Sequence, residues 1–338
     1  MKILVVSDLS SHALGNLYIA AFKACGHEVA AFDVDRTIEK YSRYGMLGKK
    51  INLFWPVDAW CRKGNRELAL ECINIKPEIV IIFGIAQVMY GALAFLKSIH
   101  DCTVALYWPD TLLNLKREQA DAMPLYDLVA TYSEKSIPLF KALGSKSQVW
   151  LPFAGDVSFL GKPTADQTTY DYDVSFAGGW RPEREKALKS IIENTSGLTV
   201  TIRGTSWERF CKDKKILNCC NPTPLYGQDF GDLIRSSRIN LNVIDDTNYP
   251  AANMRFFEIP AAGGLQLSSE CPEMTDIFRD GEHILSFKDE DEMLAKIEWV
   301  LANRQGAETI RAASHRLITT NHTYADRAEQ LLAAIRGL

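Results

Sequence analysis

Twice along the chain, short uninterrupted runs of Val, Ile, Leu and Phe alternate with amphipathic stretches of helical period. This pattern constrains the fold more than any other feature. A strand that reads as a continuous apolar run is buried on both faces, which is the situation of a parallel sheet covered by helices. The first series is "KILVVS" (2–7), "HEVAAFD" (27–33), "EIVIIFG" (78–84), "CTVALYW" (102–108), "DLVATYS" (127–133) and "QVWLPF" (148–153), with helices expected near 15–25, 66–75, 87–98 and 135–143. After a polar, turn-rich linker (154–172) it restarts with "DVSFAGG" (173–179), "LTVTIRG" (198–204), "KILNCC" (215–220), "INLNVID" (239–245), "LQLSS" (265–269) and "HILSF" (283–287). Helices are expected near 182–194, 229–237, 254–262, 289–303, 307–319 and 323–336. The spacing predicts two tandem Rossmann-like α/β/α domains facing a central cleft, an N-terminal one over 1–160 and a C-terminal one over 170–320. In open parallel sheets, ligands bind beyond the carboxyl ends of the strands.

Composition agrees with a globular, two-core chain: of 338 residues, 47% are hydrophobic and 24% charged. No run approaches the roughly 18 apolar residues needed to cross a bilayer, and the opening "MKILVVSDLS" meets an acid at Asp8, so a cytoplasmic protein is expected. Eight cysteines without CxxC or His/Cys clustering predict reduced, buried thiols and no metal site. Residues 1–150 carry 17 basic against 15 acidic side chains and residues 151–338 carry 21 against 27, leaving +2 and −6 and arguing against nucleic acid as partner. The basic excess is local, in 40–66. There Lys40, Arg43, Lys49, Lys50, Arg62, Lys63 and Arg66 face only Asp58 and interleave with Tyr41, Tyr44, Phe54, Trp55 and Trp60. That mixture suits a peripheral contact with the inner face of a membrane or an anionic acceptor, or else a solvated insertion with its aromatics packed inward.

The chemistry sits in strand-end loops of the second half. "FAGGWRPERE" (176–185) is a strand end, two glycines and a helix opened by Pro182. Gly178 and Gly179 allow close backbone approach, the helix start attracts anions, and Arg181 and Arg184 can fork onto phosphate oxygens. A diphosphate fits this set. Arg203 in "IRGTSWERF" (202–210) and Tyr226 in the loop opening 221–243 join it as donor-side candidates, and Trp207 or Tyr226 is a candidate base-stacking ring. In "NMRFFEIPAAGG" (253–264), Arg255 and Glu258 are three apart on one helix face. A carboxylate there is able to accept both hydroxyls of a ribose, or to pair with Arg255 at the surface.

"RFFEIPAAGGLQLSSECPEMTDIFRDGEHILSFKDEDEMLAKIEWVLAN" with "NHTYADRAEQLL" (321–332), "VSFAGGWRPERE" and "DLIRSSRINLNV" (232–243) resemble, in the same order, the C-terminal half of the CgeB-type (spore-maturation) glycosyltransferases of the retaining GT-B superfamily. The likeness covers roughly 170–332; in the first half only "MKILVVSD", "ACGHEV", "WPD" and "LPFAGD" match, loosely. The resemblance implies a nucleotide diphosphate sugar as donor and a glycan, lipid or small molecule as acceptor. It places Glu258 on the second Glu of the E-x7-E element, which holds the donor ribose, and Gly263 and Gly264 on the turn after it. The first Glu falls on Pro250, with Asp245, Asp246 and Asn253 as substitutes. Arg181 and Arg184 match the basic residues that neutralise the diphosphate without a metal, so no cofactor is implied. "DVD" (33–35) and "DED" (289–291) lie outside any metal role. His322, Thr323, Tyr324 and Arg327 match an HTYxxR signature that docks the last helix, 321–338, on the first domain, with Thr323 as its N-cap.

In the first half, His12 in "SDLSSHALGN" (7–16), where Gly15 also follows the first strand, and Asp110 in "YWPDT" (107–111) follow strands, the positions of an acceptor-activating dyad in inverting GT-B enzymes. In retaining ones the leaving phosphate takes that proton. The expectation is a metal-independent, retaining transferase. Its alternatives are an inverting enzyme using His12 with Asp110, a non-catalytic sugar-nucleotide binder, and an epimerase, for which paired acids and bases around one sugar are not seen.

Overall fold

The computed structural model describes residues 1–10, 13–42, 45–84, 86–99, 101–161 and 169–338. Two compact units emerge, Met1–Pro152 together with Tyr324–Leu338, and Phe153–Thr323. The first holds six strands, β1 (Lys2–Val6), β2 (Glu28–Phe32), β3 (Ile79–Phe83), β4 (Thr103–Trp108), β5 (Leu128–Thr131) and β6 (Ser147–Trp150). All are parallel, in the order β2-β1-β3-β4-β5-β6. β3 is buried along its whole length, which is why it reads as an unbroken apolar run. One layer of core joins Leu4, Val6, Val80, Ile82 and Trp108 to Val34, Ile38 and Leu68. Elsewhere in the unit Tyr18, Phe83, Tyr107 and Tyr324 pack ring against ring at 5.2–5.4 Å. Tyr324 begins the helix Tyr324–Arg336, which packs on Leu14–Ala24. Arg327, 2% exposed, ties this helix down by donating from Nε to the Pro152 carbonyl at 2.9 Å.

The second unit repeats the plan with β7 (Tyr172–Ala177), β8 (Val200–Arg203), β9 (Cys220–Asn221), β10 (Ser237–Asn242), β11 (Gln266–Ser269) and β12 (Leu285–Phe287), parallel in the order β12-β11-β10-β7-β8-β9. Its core joins Val174, Phe176, Ile202, Ile239 and Leu267 to Leu188, Ile191, Met293 and Ile297. In each sheet the chain builds outward on one side, then crosses to the other. The crossing lies between β1 and β3 in the first unit and between β7 and β10 in the second. A crevice opens at such a point because the two flanking connections leave in opposite directions.

Three segments differ from the sequence reading. "KILNCC" is the helix Lys214–Asn218 followed by the two-residue β9: Asp213 caps the helix by accepting the Lys215 amide at 2.8 Å, a local signal that outweighs a short apolar run. Within residues 40–66 the aromatics divide, Trp60 packing against the core and Trp55 standing 74% exposed, and the segment is helical, which the sequence reading did not give. It forms Gly45–Phe54 and the start of Asp58–Ile75, and the latter packs so closely on Val34–Tyr41 that a Cβ at Gly64 would stand 2.4 Å from Ile38 Cγ1. Arg43 and Tyr44 lie outside the described residues. In the stretch read as a linker, Val157–Leu160 is helical and docked. Arg235 donates to the Leu160 carbonyl at 2.9 Å, and residues 162–168 lie outside the described residues. Five of the eight cysteines (Cys61, Cys72, Cys102, Cys211, Cys271) are buried, as expected of thiols in apolar surroundings.

Candidate active site

The carboxyl ends of β7 and β10 bring together most of the residues singled out in the second half. After β7 the chain makes a tight turn through Gly178 and Gly179 and enters the helix Pro182–Asn194, with Arg181 at its N-cap. The turn is held against the end of β8: the Gly178 amide donates to the Arg203 carbonyl at 2.8 Å, and the Trp180 amide to that of Thr205 at 3.1 Å. Trp207 is 1% exposed, donates from its indole nitrogen to the Gly178 carbonyl at 3.0 Å, and meets Phe176 edge to face. It is a wall of the turn, and the reading of Trp207 as a base-stacking ring is thereby corrected. Gly204, at φ 155°, is required here because a Cβ would fall 2.1 Å from the Gly178 carbonyl oxygen.

Arg184 reaches back from the first helical turn. It donates to the Gly179 carbonyl at 2.9 Å and to Asp245 Oδ2 at 2.8 Å, over the Phe176 ring. Asp245, 3% exposed, follows β10. Burial would raise its carboxyl, but the Thr247 hydroxyl, the Arg184 charge and the Asn248 amide outweigh burial and hold it below the usual carboxylate range. Burial pushes the Arg184 guanidinium down; Asp245 opposes this, and the charges of Arg181 and Arg255 add to it. These mutual effects place Arg181, Arg184 and Arg255 in one electrostatic neighbourhood. Arg181 is exposed; Arg203, the last residue of β8 and in register with Ala177, is half-buried. The Nε groups of Arg184 and Arg203 are both buried without a hydrogen-bond partner among the described residues. Buried donors seldom stay unpaired, so these two N–H groups mark the turn as a place for an acceptor-rich ligand. The helix start contributes its own unpaired amides. Two acids share that first turn: Glu185 accepts from the Trp180 indole, and Glu183 stands beside Arg184.

The helix Arg255–Ala261 follows β10. Its start is fixed by Asn253, which accepts the Phe256 amide at 3.2 Å and exchanges side-chain hydrogen bonds with Asn242. Its end is fixed by Gly263, at φ 81°, and by the Gly264 amide donating to the Ile259 carbonyl at 2.9 Å, a left-handed helix stop. Arg255 holds its guanidinium carbon 4.1 Å from the centroid of the Phe230 ring, donates to the Ala177 carbonyl at 3.3 Å, and pairs with Glu258. Glu258 is 5% exposed. The Arg255–Glu258 pair therefore exists, but it is not the surface pair that sequence alone allowed. It is a buried carboxylate whose partner, Arg255, one helical turn earlier, also reaches the last residue of β7. Tyr226, about half exposed, is the N-cap of Gly227–Arg235. Of the three substitutes for the glutamate missing at Pro250, Asp245 and Asn253 are engaged by the protein and Asp246 is exposed.

In the first unit the carboxyl ends of β1 to β4 line a cavity of about 730 Å³. Asp110 is on its wall, but its two oxygens are taken by the Thr111 amide and the Asn114 side chain, both at 2.7 Å. His12 lies outside the described residues. Gly15 packs against Ser7, where a Cβ would stand 2.3 Å from Ser7 Oγ. Sequence reasoning missed the Asp245 clamp on Arg184 and the Phe230 platform, which join residues 61 and 25 positions apart and leave no local signal.

Residues 181–333 match the family model described as glycosyl transferase-like. No curated protein matches the sequence. Among solved structures, Anabaena HepE in complex with UDP and glucose superposes with a TM-score of 0.70 at 12% identity, over 100% of both chains. A glycosyltransferase from Rickettsia africae ESF-5 gives 0.70 at 12% identity, over 99% of this chain and 97% of that one. Sucrose-phosphate synthase from Thermosynechococcus elongatus gives 0.66 at 11%, over 99% and 98%. The two six-stranded parallel sheets are those of the GT-B fold. The glycosyl transferase-like match, over 181–333, begins at the glycine turn after β7 and takes in the Arg255–Ala261 helix.

Proposed function

We propose that this chain transfers a sugar from a nucleoside diphosphate sugar to an acceptor hydroxyl, with retention of configuration and without a metal, in the manner of the CgeB-type enzymes its sequence resembles. The observation that carries the reading is the meeting, at the β7/β10 crossing, of a glycine turn at a helix start, the unpaired Nε groups of Arg184 and Arg203, and the buried carboxylate of Glu258. Arg181, Arg184 and Arg203 with the helix amides hold the diphosphate, and Glu258, kept in place by Arg255, accepts the ribose hydroxyls. In the transfer the bond from the anomeric carbon to the diphosphate oxygen breaks and a bond to the acceptor oxygen forms on the same face. The acceptor proton passes to the leaving diphosphate, whose charge the guanidiniums stabilise. HepE, crystallised with UDP and with UDP-glucose, suggests uracil as the base. A panel of UDP, GDP, dTDP, ADP and CMP, followed by melting temperature, tests this. The expected result is stabilisation by UDP that persists in EDTA, since a ligand specific for the folded state raises the midpoint. Stabilisation that vanishes with EDTA overturns metal independence.

The reading extends to a peripheral membrane contact. Leu47, Ile51 and Trp55 recur every fourth position along Gly45–Phe54 and the residue after it, are 64%, 38% and 74% exposed, and have exposed Lys40, Lys50, Lys63 and Arg66 nearby in sequence. An apolar stripe with cations on its flanks fits the interface of an anionic bilayer. Flotation with phosphatidylserine vesicles is expected to carry the protein upward and to fail with neutral vesicles; equal recovery with both contradicts the contact.

A further inference from the structure

The cavity of the first unit carries a charge pattern that neither the fold nor the donor site accounts for. Among the described residues its wall includes Asp8, Asp33, Asp35, Glu39 and Asp110 against Arg36 and Lys116, a net of three negative charges. Half-buried Asp127, by contrast, is matched by Lys97 and Lys146, buried Asp245 by Arg184 and buried Glu258 by Arg255. Here none of Asp8, Asp33, Asp35 and Asp110 has a cation within 4 Å among the described residues; their partners are amides and hydroxyls. Asp35 is the least satisfied: Oδ1 accepts the Gln87 amide at 3.2 Å and Oδ2 accepts no described donor. Trp108, 1% exposed, also lines the cavity, and its indole N–H has no partner among the described residues. The described acids do not gather into a group of three that would hold a metal ion. Dispersed carboxylates beside an indole suit an organic cation instead, whose ammonium offers three donors and is attracted to an aromatic face.

Building on the transferase reading, we propose that this cavity receives the acceptor and selects one bearing a protonated amine, such as an amino sugar, with Asp35 as the principal partner of the ammonium and Trp108 donating to a neighbouring hydroxyl. Burial, and then the like charges of Asp33 and Asp8, push the Asp35 carboxyl up to about 6, against the Gln87 amide and Lys116. A bound cation relieves that cost.

The test uses the full chain saturated with UDP at pH 7 and compares glucosamine with N-acetylglucosamine, which keeps the ring and removes the charge. Charge-assisted hydrogen bonds are expected to make glucosamine bind about tenfold more tightly or better. Asp35→Asn, which retains an acceptor for the Gln87 amide, is expected to abolish the preference while leaving the stabilisation by UDP intact. Glu39→Gln, more peripheral, is expected to weaken it. Glucosamine affinity should also fall between pH 7 and pH 5.5. The amine only gains charge over that interval, so the loss reports protonation of Asp35 among Asp8, Asp33, Glu39, Asp110, Arg36 and Lys116. Equal affinity for the two sugars, binding of neither, or a preference that survives Asp35→Asn overturns the proposal. Selectivity for the amine without any response to UDP would overturn the donor reading and leave this one standing.

Discussion

Replacing Arg184 with Ala is expected to lower the folding stability by about 3–5 kcal/mol, as removal of one partner from a buried ion pair does. The size follows from what the substitution strands. Asp245 is 3% exposed and Arg184 is its only ion-pair partner among the described residues. The Gly179 carbonyl also loses its donor. The sign with pH is diagnostic. In the native protein the Asp245 carboxyl lies below its ordinary value, so its stabilisation is present above the unfolded pKa and is lost as pH falls through the folded one. Without Arg184 the upward push of burial is less opposed, the folded carboxyl binds its proton more readily, and the deficit against wild type narrows as pH falls toward the carboxylate range. Urea titrations of both proteins at pH 7 and pH 4.5 check this. Adding Asp245→Asn to Arg184→Ala should recover part of the loss, because it removes the stranded charge. Full stability of Arg184→Ala at pH 7 contradicts the clamp.

The second large effect is on chemistry. Glu258→Ala is expected to reduce sugar transfer by roughly two to three orders of magnitude, the range for losing two hydrogen bonds to a charged group at about 1.5–3 kcal/mol each, allowing for partial compensation. Stability should change less than in Arg184→Ala, because Arg255 is about 30% exposed and keeps its bond to Ala177 and its seat on Phe230. Glu258→Gln, which still accepts one hydroxyl, should fall between the two.

Much of this architecture was legible in the sequence, for a physical reason. Strands buried on both faces cannot hide their apolar content, so all six strands of the first sheet were readable within two residues at their starts and three at their ends. The helix Pro182–Asn194 was equally plain, since Pro182 can open a helix where an amide is not needed. What failed was short or tertiary. Residues 215–220 have too few apolar positions to show a period, and the Asp213 cap decided the outcome. Val34–Tyr41 was missed because its buried face is only Val34, Thr37 and Ile38, too short to show a helical period, and its cap Asp33 closes the preceding apolar run. At the site, the glycines, Arg184 and Glu258 were visible as residue types in suggestive places. That Asp245 would hold Arg184, that Trp207 would brace Gly178, and that Asp33 and Asp35 would face a cavity all depend on distant segments meeting, which no window of sequence records.

The central claim is that Glu258 clasps the ribose of a nucleotide whose diphosphate rests on the glycine turn. Calorimetric titration of wild type and Glu258→Ala with UDP and with 2′-deoxy-UDP tests it most directly. The account predicts that wild type prefers UDP over its deoxy form by about tenfold, the worth of one hydrogen bond to a carboxylate, and that Glu258→Ala binds both weakly and alike. A preference for UDP that survives in Glu258→Ala would contradict it.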